Sequence, residues 1–277
     1  MPDWLSEWFS AFFNGTGIGI ASNIWKAAMK AVTGVITTTP EDFSSDTWSL
    51  VEDKLYPWSL GIGLTVLNLF FMIAIWQAVK NFHQNITTEM IVEALVKIVA
   101  ANILFINIMP FIKSFFDIAA LMTGEVMTVK APSLVVDDLD MASALFYLLL
   151  GTGFLLLSII CGGMILLTVY GRYIKLYLLV ILAPLALPTL VGGQGVEHTF
   201  YAWLKAFLAN VFEIVVIALA LVLSFKLIQG GIDLFTADGA LSSFDGGIQV
   251  INSALTMILV TTSVKTANSF LTRAMGL

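Results

Sequence analysis

A chain of 277 residues that is 58% hydrophobic and only 12% charged lies far from soluble domains, where about a quarter of residues carry charge. A net charge of −6 with thirteen Lys and Arg excludes a phosphate-binding nucleic-acid surface, which needs clustered basic residues. One cysteine, Cys161, excludes an intrachain disulfide and a cysteine-based zinc site.

The opening MPDWLSEWFS starts acidic and lacks a basic n-region, so no cleavable signal peptide is expected. Met1–Phe13 places Trp4, Leu5, Trp8, Phe9 and Phe12 on one helical face and Asp3, Ser6, Glu7 and Ser10 on the other. Trp4, Trp8, Phe9 and Phe12 are therefore candidate interfacial anchors, the alternative being a helix docked on the protein's own spans. A second amphipathic segment aligns Ile20, Ile24, Ala28, Val32 and Val35, with Trp25 and Met29 beside them and Asn23, Lys26 and Lys30 turned away. The stretch TTTPEDFSSDTW reads as a turn-rich acidic linker. Residues 1–56 thus form an amphipathic region outside the membrane, and residues 57–277 the transmembrane domain.

Five apolar stretches are long enough to span: about Trp58–Val79, Met90–Met109 (or on to Met122 past Pro110), Ala142–Tyr170, Phe207–Leu227 and Ile248–Val264. The predicted fold is all-α: a polytopic helical membrane protein with about five transmembrane helices and N-terminal amphipathic helices. The block Leu176–Val191 follows the longest span and carries Pro184 and Pro188, each of which removes a backbone donor. These two prolines mark a helix break, so the block is either re-entrant or a sixth helix. The re-entrant version gathers Lys80, Arg172, Lys175, Lys205, Lys265 and Arg273 on the cytoplasmic side, as the distribution of basic residues favours. It places the N-terminus outside and the C-terminus in the cytoplasm. No internal repeat of the inverted-transporter kind is visible.

No HExxH, GxSxG, P-loop or GxGxxG motif occurs, so no catalytic residue, cofactor or enzymatic activity is expected. His83 and His198 fall in separate loops without a nearby second ligand, and no metal site is expected. Glu213 lies within the fourth span, where a carboxylate is costly and is a functional candidate by default. It either binds a proton or cation, or pairs with Lys205 or Asn210. Glu93 with Lys97, and Lys113 with Asp117, have the spacing of local helical pairs. Asn102 and Asn107 read as buried amides joining helices. Arg172 and Lys175 either snorkel to headgroups or offer a cytoplasmic docking point. Gly151, Gly153, Gly162 and Gly163 thin the longest span for close helix approach or for an oligomeric seam. Tyr147, Tyr170, Tyr173 and Tyr177 read as headgroup anchors.

The run VYGRYIKLYLLVILAPLALPTL, Val169–Leu190, resembles the corresponding stretch of TrbL-like (VirB-type) polytopic membrane subunits of type IV secretion and conjugative transfer systems. Those proteins carry an Arg or Lys, then apolar residues and an Ala-Pro at this place. The order of amphipathic helices, spans, long span and basic break extends the likeness over most of the chain. The resemblance implies a non-enzymatic channel or scaffold subunit of a DNA- and protein-transfer machine in the bacterial inner membrane. It implies a homo-oligomer with other secretion-system subunits, including a cytoplasmic ATPase, as partners. Translocating DNA or protein would be met only indirectly. From the residues alone, an ion- or proton-coupled small-solute transporter using Glu213 beside the Pro184/Pro188 break is the competing expectation.

Overall fold

The computed structural model describes residues 17–80, 88–127, 144–191, 196–229 and 245–274, and among these it contains helices and turns but no strand. The chain is an all-α polytopic membrane protein, and among the described residues five helices are long and apolar enough to cross a bilayer. Helix α1 is Ile18–Ile36, followed by two short helices, α2 (Pro40–Phe43) and α3 (Ser45–Leu50). A π-helical turn, Val51–Leu55, leads without interruption into α4, Tyr56–Lys80. Then come α5 (Thr88–Val126), α6 (Ala144–Ala186) with a 3-10 extension Leu187–Leu190, α7 (Glu197–Gln229) and α8 (Asp245–Ala274). The region Met1–Phe13, with Trp4, Trp8, Phe9 and Phe12, and the loop containing His83 lie outside the described residues.

The chain forms two compact units. The first comprises Met1–Thr37, Met122–Tyr170 and Ile214–Phe270; the second comprises Thr38–Leu121, Gly171–Glu213 and Leu271–Leu277.

In the first unit α1 lies on the early part of α6. Its buried residues are Ile18, Ala21, Trp25, Ala28, Met29, Val32 and Ile36, whereas Ile20 is 42% exposed. The inward stripe is thus rotated from the expected Ile20–Ile24 line and centres on Trp25, the largest apolar surface available to bury. Two glycines of α6 make the approach possible. A Cβ on Gly162 would stand 3.1 Å from Ala28 Cβ, and one on Gly151 would stand 3.3 Å from Ile18 Cγ1. A Cβ on Gly17 would likewise stand 3.1 Å from the Gly151 carbonyl carbon. Gly153 and Gly163 face open space. The close-packing reading therefore holds for Gly151 and Gly162.

In the second unit the acidic stretch expected as a linker is folded. Thr39 and Ser44 cap α2 and α3, each accepting a bond from a backbone N–H three residues on, and Pro40 occupies the first helical turn. Helical structure reaches back from α4 to Ser45, so the first long helix begins well before Trp58. The run Glu52-Asp53-Lys54 lowers hydropathy there without ending the helix. Pro110 sits inside α5, and Pro184 inside α6. Helix α6 does not break at Arg172: it continues to Ala186, so Leu176–Val191 prolongs this helix rather than starting another. The α-helical ladder ends where Pro188 cannot donate to the Pro184 carbonyl. The Gly63 backbone of α4 rests on that carbonyl, with the position of a Cβ only 2.9 Å from the Pro184 carbonyl carbon.

Candidate functional site

The inner stripe of α6 within the second unit runs through Tyr173, Leu176, Val180 and Ala183, each 0% exposed. Arg172 adjoins this stripe, four residues before Leu176, and is only 3% exposed. Its Nε donates to the carbonyl of Asn210 at 2.9 Å and its Nη2 to that of Val211 at 3.1 Å. The guanidinium lies 5.2 Å from the Tyr173 ring centre. Glu213, also 3% exposed, stands on the same stretch of α7, and the charges of Lys175 and Arg172 reach its carboxylate. One oxygen of Glu213, Oε1, and one nitrogen of Arg172, Nη1, have no hydrogen-bond partner among the described residues.

This corrects two expectations. Arg172 is not an exposed cytoplasmic contact, because two main-chain carbonyls and the Tyr173 ring hold it inside; exposed Lys175 alone keeps that role available. Among the described residues Glu213 makes no ion pair with Lys205, which is exposed, and Asn210 turns its amide to Ala206 O at 2.7 Å; the charges that reach the carboxylate are those of Lys175 and Arg172. The signal was present in the spacing: Arg172 is three residues after Val169 and four before Leu176, on the stripe those residues define. Its charge argued for the surface, but two carbonyls within reach compensate a desolvated guanidinium.

A second polar centre joins α2, α3 and the π turn to α5 and α6. Lys113 Nζ, expected against Asp117, lies 2.8 Å from Glu52 Oε1 and 3.7 Å from Glu41 Oε2. It also stands 5.5 Å from the Trp48 ring centre, while Trp48 Nε1 donates to Glu52 Oε2 at 2.7 Å. Tyr173 and Tyr177 are not headgroup anchors: both are buried, donating to Thr38 O at 3.0 Å and Pro40 O at 2.8 Å. Phe43 stacks on Tyr173 at 4.0 Å, and Trp48 meets Phe116 edge-on and tilts against Tyr177. Glu41 lies outside the spans. Partial burial, with Glu52, Asp117 and Asp42 adding to it, raises its carboxyl above the ordinary range despite Lys113.

Asn102 and Asn107 are not buried; both are exposed, and Asn107 turns its amide back to Ile103 O at 2.8 Å. Tyr170 is 43% exposed and keeps its place as a candidate anchor, whereas Tyr147 lies where side chains are outside the description. The same is true of Glu93 and Lys97. His198 is exposed, and among the described residues no group of three His, Cys, Asp or Glu could hold a metal ion. No family model, curated protein or solved structure matches this chain.

Proposed function

We propose that the chain is a non-enzymatic, multi-pass subunit, channel or scaffold, of a type IV secretion and conjugative transfer machine. In this reading it works as a homo-oligomer in the bacterial inner membrane, N-terminus outside and C-terminus in the cytoplasm. A cytoplasmic ATPase and further subunits are its partners. The observation that carries the reading is the segment Val169–Leu190. The residues that give it its likeness to TrbL-like proteins also organise the second unit. Arg172 binds the α7 carbonyls, Tyr173 and Tyr177 hold the stretch before α4, and Leu179 O accepts from Trp203 Nε1 at 2.9 Å. The carbonyl of Pro184, in the Ala-Pro pair, receives the Gly63 backbone. Such a segment acts as an internal frame, which suits a subunit whose surfaces are left to neighbours. Extraction in mild detergent followed by native mass spectrometry tests it. A ring-sized oligomer carrying other secretion subunits is expected, and a chain that purifies alone as a monomer overturns it.

One observation favours a second reading, a proton- or ion-coupled solute transporter. Glu213 is buried at span depth with an oxygen left unbonded beside Arg172, as a coupling carboxylate would be. Reconstituted alone in liposomes, the chain would then move solute, and Glu213→Gln would abolish coupling. Uptake unchanged in Glu213→Gln ends that reading.

A further inference from the structure

We infer that the polar face of α1, carrying Asn23, Lys26 and Lys30, lines a water-filled path at bilayer depth that favours anions. Two close contacts tie α1 to α6, Gly17 with Gly151 and Ala28 with Gly162, and they are separated by eleven residues on each helix. Helix α1 therefore runs parallel to α6 and in step with it over about 16 Å. In that register Lys26 stands level with Ile160 and Lys30 with Met164, both exposed and apolar. Leu156 and Leu167, 58% and 75% exposed, extend the apolar surface on either side. All four belong to the longest uncharged run of the chain, Met141–Gly171, about 46 Å of helix and so more than the hydrocarbon core requires.

Helix α1 presents the contrary surface at the same level. Its exposed residues beyond Ile20 are Asn23, Lys26, Ala27, Lys30 and Gly34, with no large apolar group among them. Among the described residues neither lysine makes an ion pair. An ammonium group in hydrocarbon is costly, and at depth it pairs with another charge or faces water. Snorkelling does not resolve the conflict. Lys26 lies about 16 Å short of the level of Gly171, the nearer end of the run, and helical side chains lean toward their own N-terminus, here away from that end.

A partner helix does not resolve it either. It would have to desolvate two like charges and an amide, and the stripe offers no large apolar surface to bury in return. Water hydrates all three groups where they stand. Lys26 and Lys30 are one turn, about 6 Å, apart, so copies arranged around an oligomer would stack two cationic rings, an arrangement that selects anions. The inference rests on this part of α6 lying in the bilayer and not on the secretion reading. It adds no crossing to the proposed topology: α1 runs inward parallel to α6, and the chain continues inward through α4.

The test uses the full chain with Cys161→Ala in liposomes, with impermeant methanethiosulfonates supplied on both faces. Asn23→Cys, Lys26→Cys and Lys30→Cys are expected to react. Leu156→Cys, Ile160→Cys and Leu167→Cys, on the apolar face at matching levels, are expected to stay unlabelled. A cysteine is too short to snorkel, so reaction at position 26 reports water at the helix itself. With both lysines in place, Asn23→Cys should favour the anionic sulfonate over the cationic trimethylammonium reagent about tenfold more than a free thiol does. Adding Lys26→Gln and Lys30→Gln should remove that preference. Inert α1 cysteines overturn the inference, and so does equal reaction of the α6 cysteines, which would put the whole segment in bulk water. A preference unchanged by the two Gln substitutions overturns the anionic character. Label on α1 in a chain that native mass spectrometry finds monomeric supports the aqueous face and sinks only the secretion reading.

Discussion

Two of the described segments, α1 and the stretch Thr38–Leu55, precede α4, and they are held to the protein in different ways. Helix α1 is attached by shape: Trp25 at 2% exposure, and Gly151 and Gly162 cleared beneath Ile18 and Ala28. The stretch Thr38–Leu55 adds polar bonds to the ring contacts of Phe43 and Trp48: two tyrosine hydroxyls on its carbonyls, and Lys113 between two of its carboxylates. Apolar attachment depends on total volume and tolerates little addition or loss at a close contact. Polar attachment divides among several bonds, each contributing modestly and some sensitive to pH.

That contrast can be broken most sharply at Trp25. Trp25→Ala removes the largest buried group of α1 and should cost about 3–5 kcal/mol, read as loss of α1 protection in hydrogen exchange. Gly162→Leu attacks the same contact from the other side. With Ala28 Cβ already 3.1 Å from where a Cβ would stand, overpacking should cost about 1–3 kcal/mol and release α1 to protease. Tyr177→Phe removes a single hydrogen bond to Pro40 O. The expected loss is about 1 kcal/mol, seen as a modest rise in proteolytic nicking within Thr38–Leu55 and none within α1.

The smallest effect is the pH response of Glu41. Its carboxyl is raised by partial burial, so the docked segment holds the proton more tightly than the free one. The contribution of Glu41 to docking is accordingly greatest below the ordinary carboxylate range and weakens as pH rises through the raised value. Limited proteolysis across that window should show nicking increasing with pH, and Glu41→Gln should flatten the curve. A rise toward acid instead would show that the ion pairs of Lys113 with Glu52 and Glu41 dominate, and the polar segment would then be held more by charge than by its hydrogen bonds.

The same contrast explains what could be read in advance. Five long apolar stretches announce themselves by composition, since burial in lipid demands continuous hydrophobicity, and a helix covers each, but with shifted ends: the first reaches back to Ser45, the second on to Val126 and the third on to Leu190. Helix α1 was legible as amphipathic, but its inward stripe depends on glycines 120 or more residues away, which local periodicity does not reveal. The folding of Thr38–Leu55 was hidden because its partners, Lys113, Tyr173 and Tyr177, are remote in sequence and look like surface residues. Arg172 was misplaced for a related reason: its charge suggested headgroups, whereas its position three residues after Val169 put it beside the buried line. Asn102 and Asn107 erred the other way, since a polar residue in a span suggests burial and these two are exposed.

The wide turn Val51–Leu55 has a consequence of phase. By α-helical arithmetic Val51 and Ser59 would stand about 80° apart around the axis, yet both are buried. One extra residue in the turn subtracts about 100° and brings them to within about 20° of a common line. The turn therefore works as a gear tooth between the docked short helices and the span that follows. Inserting one residue there, beyond the one the wide turn already absorbs, would rotate Tyr56–Lys80 by more than a quarter revolution and swing Gly63 off the Pro184 carbonyl, whereas deleting one would let the turn close to a regular α-helix with the phase kept. In this part of the molecule, length is as specific as composition.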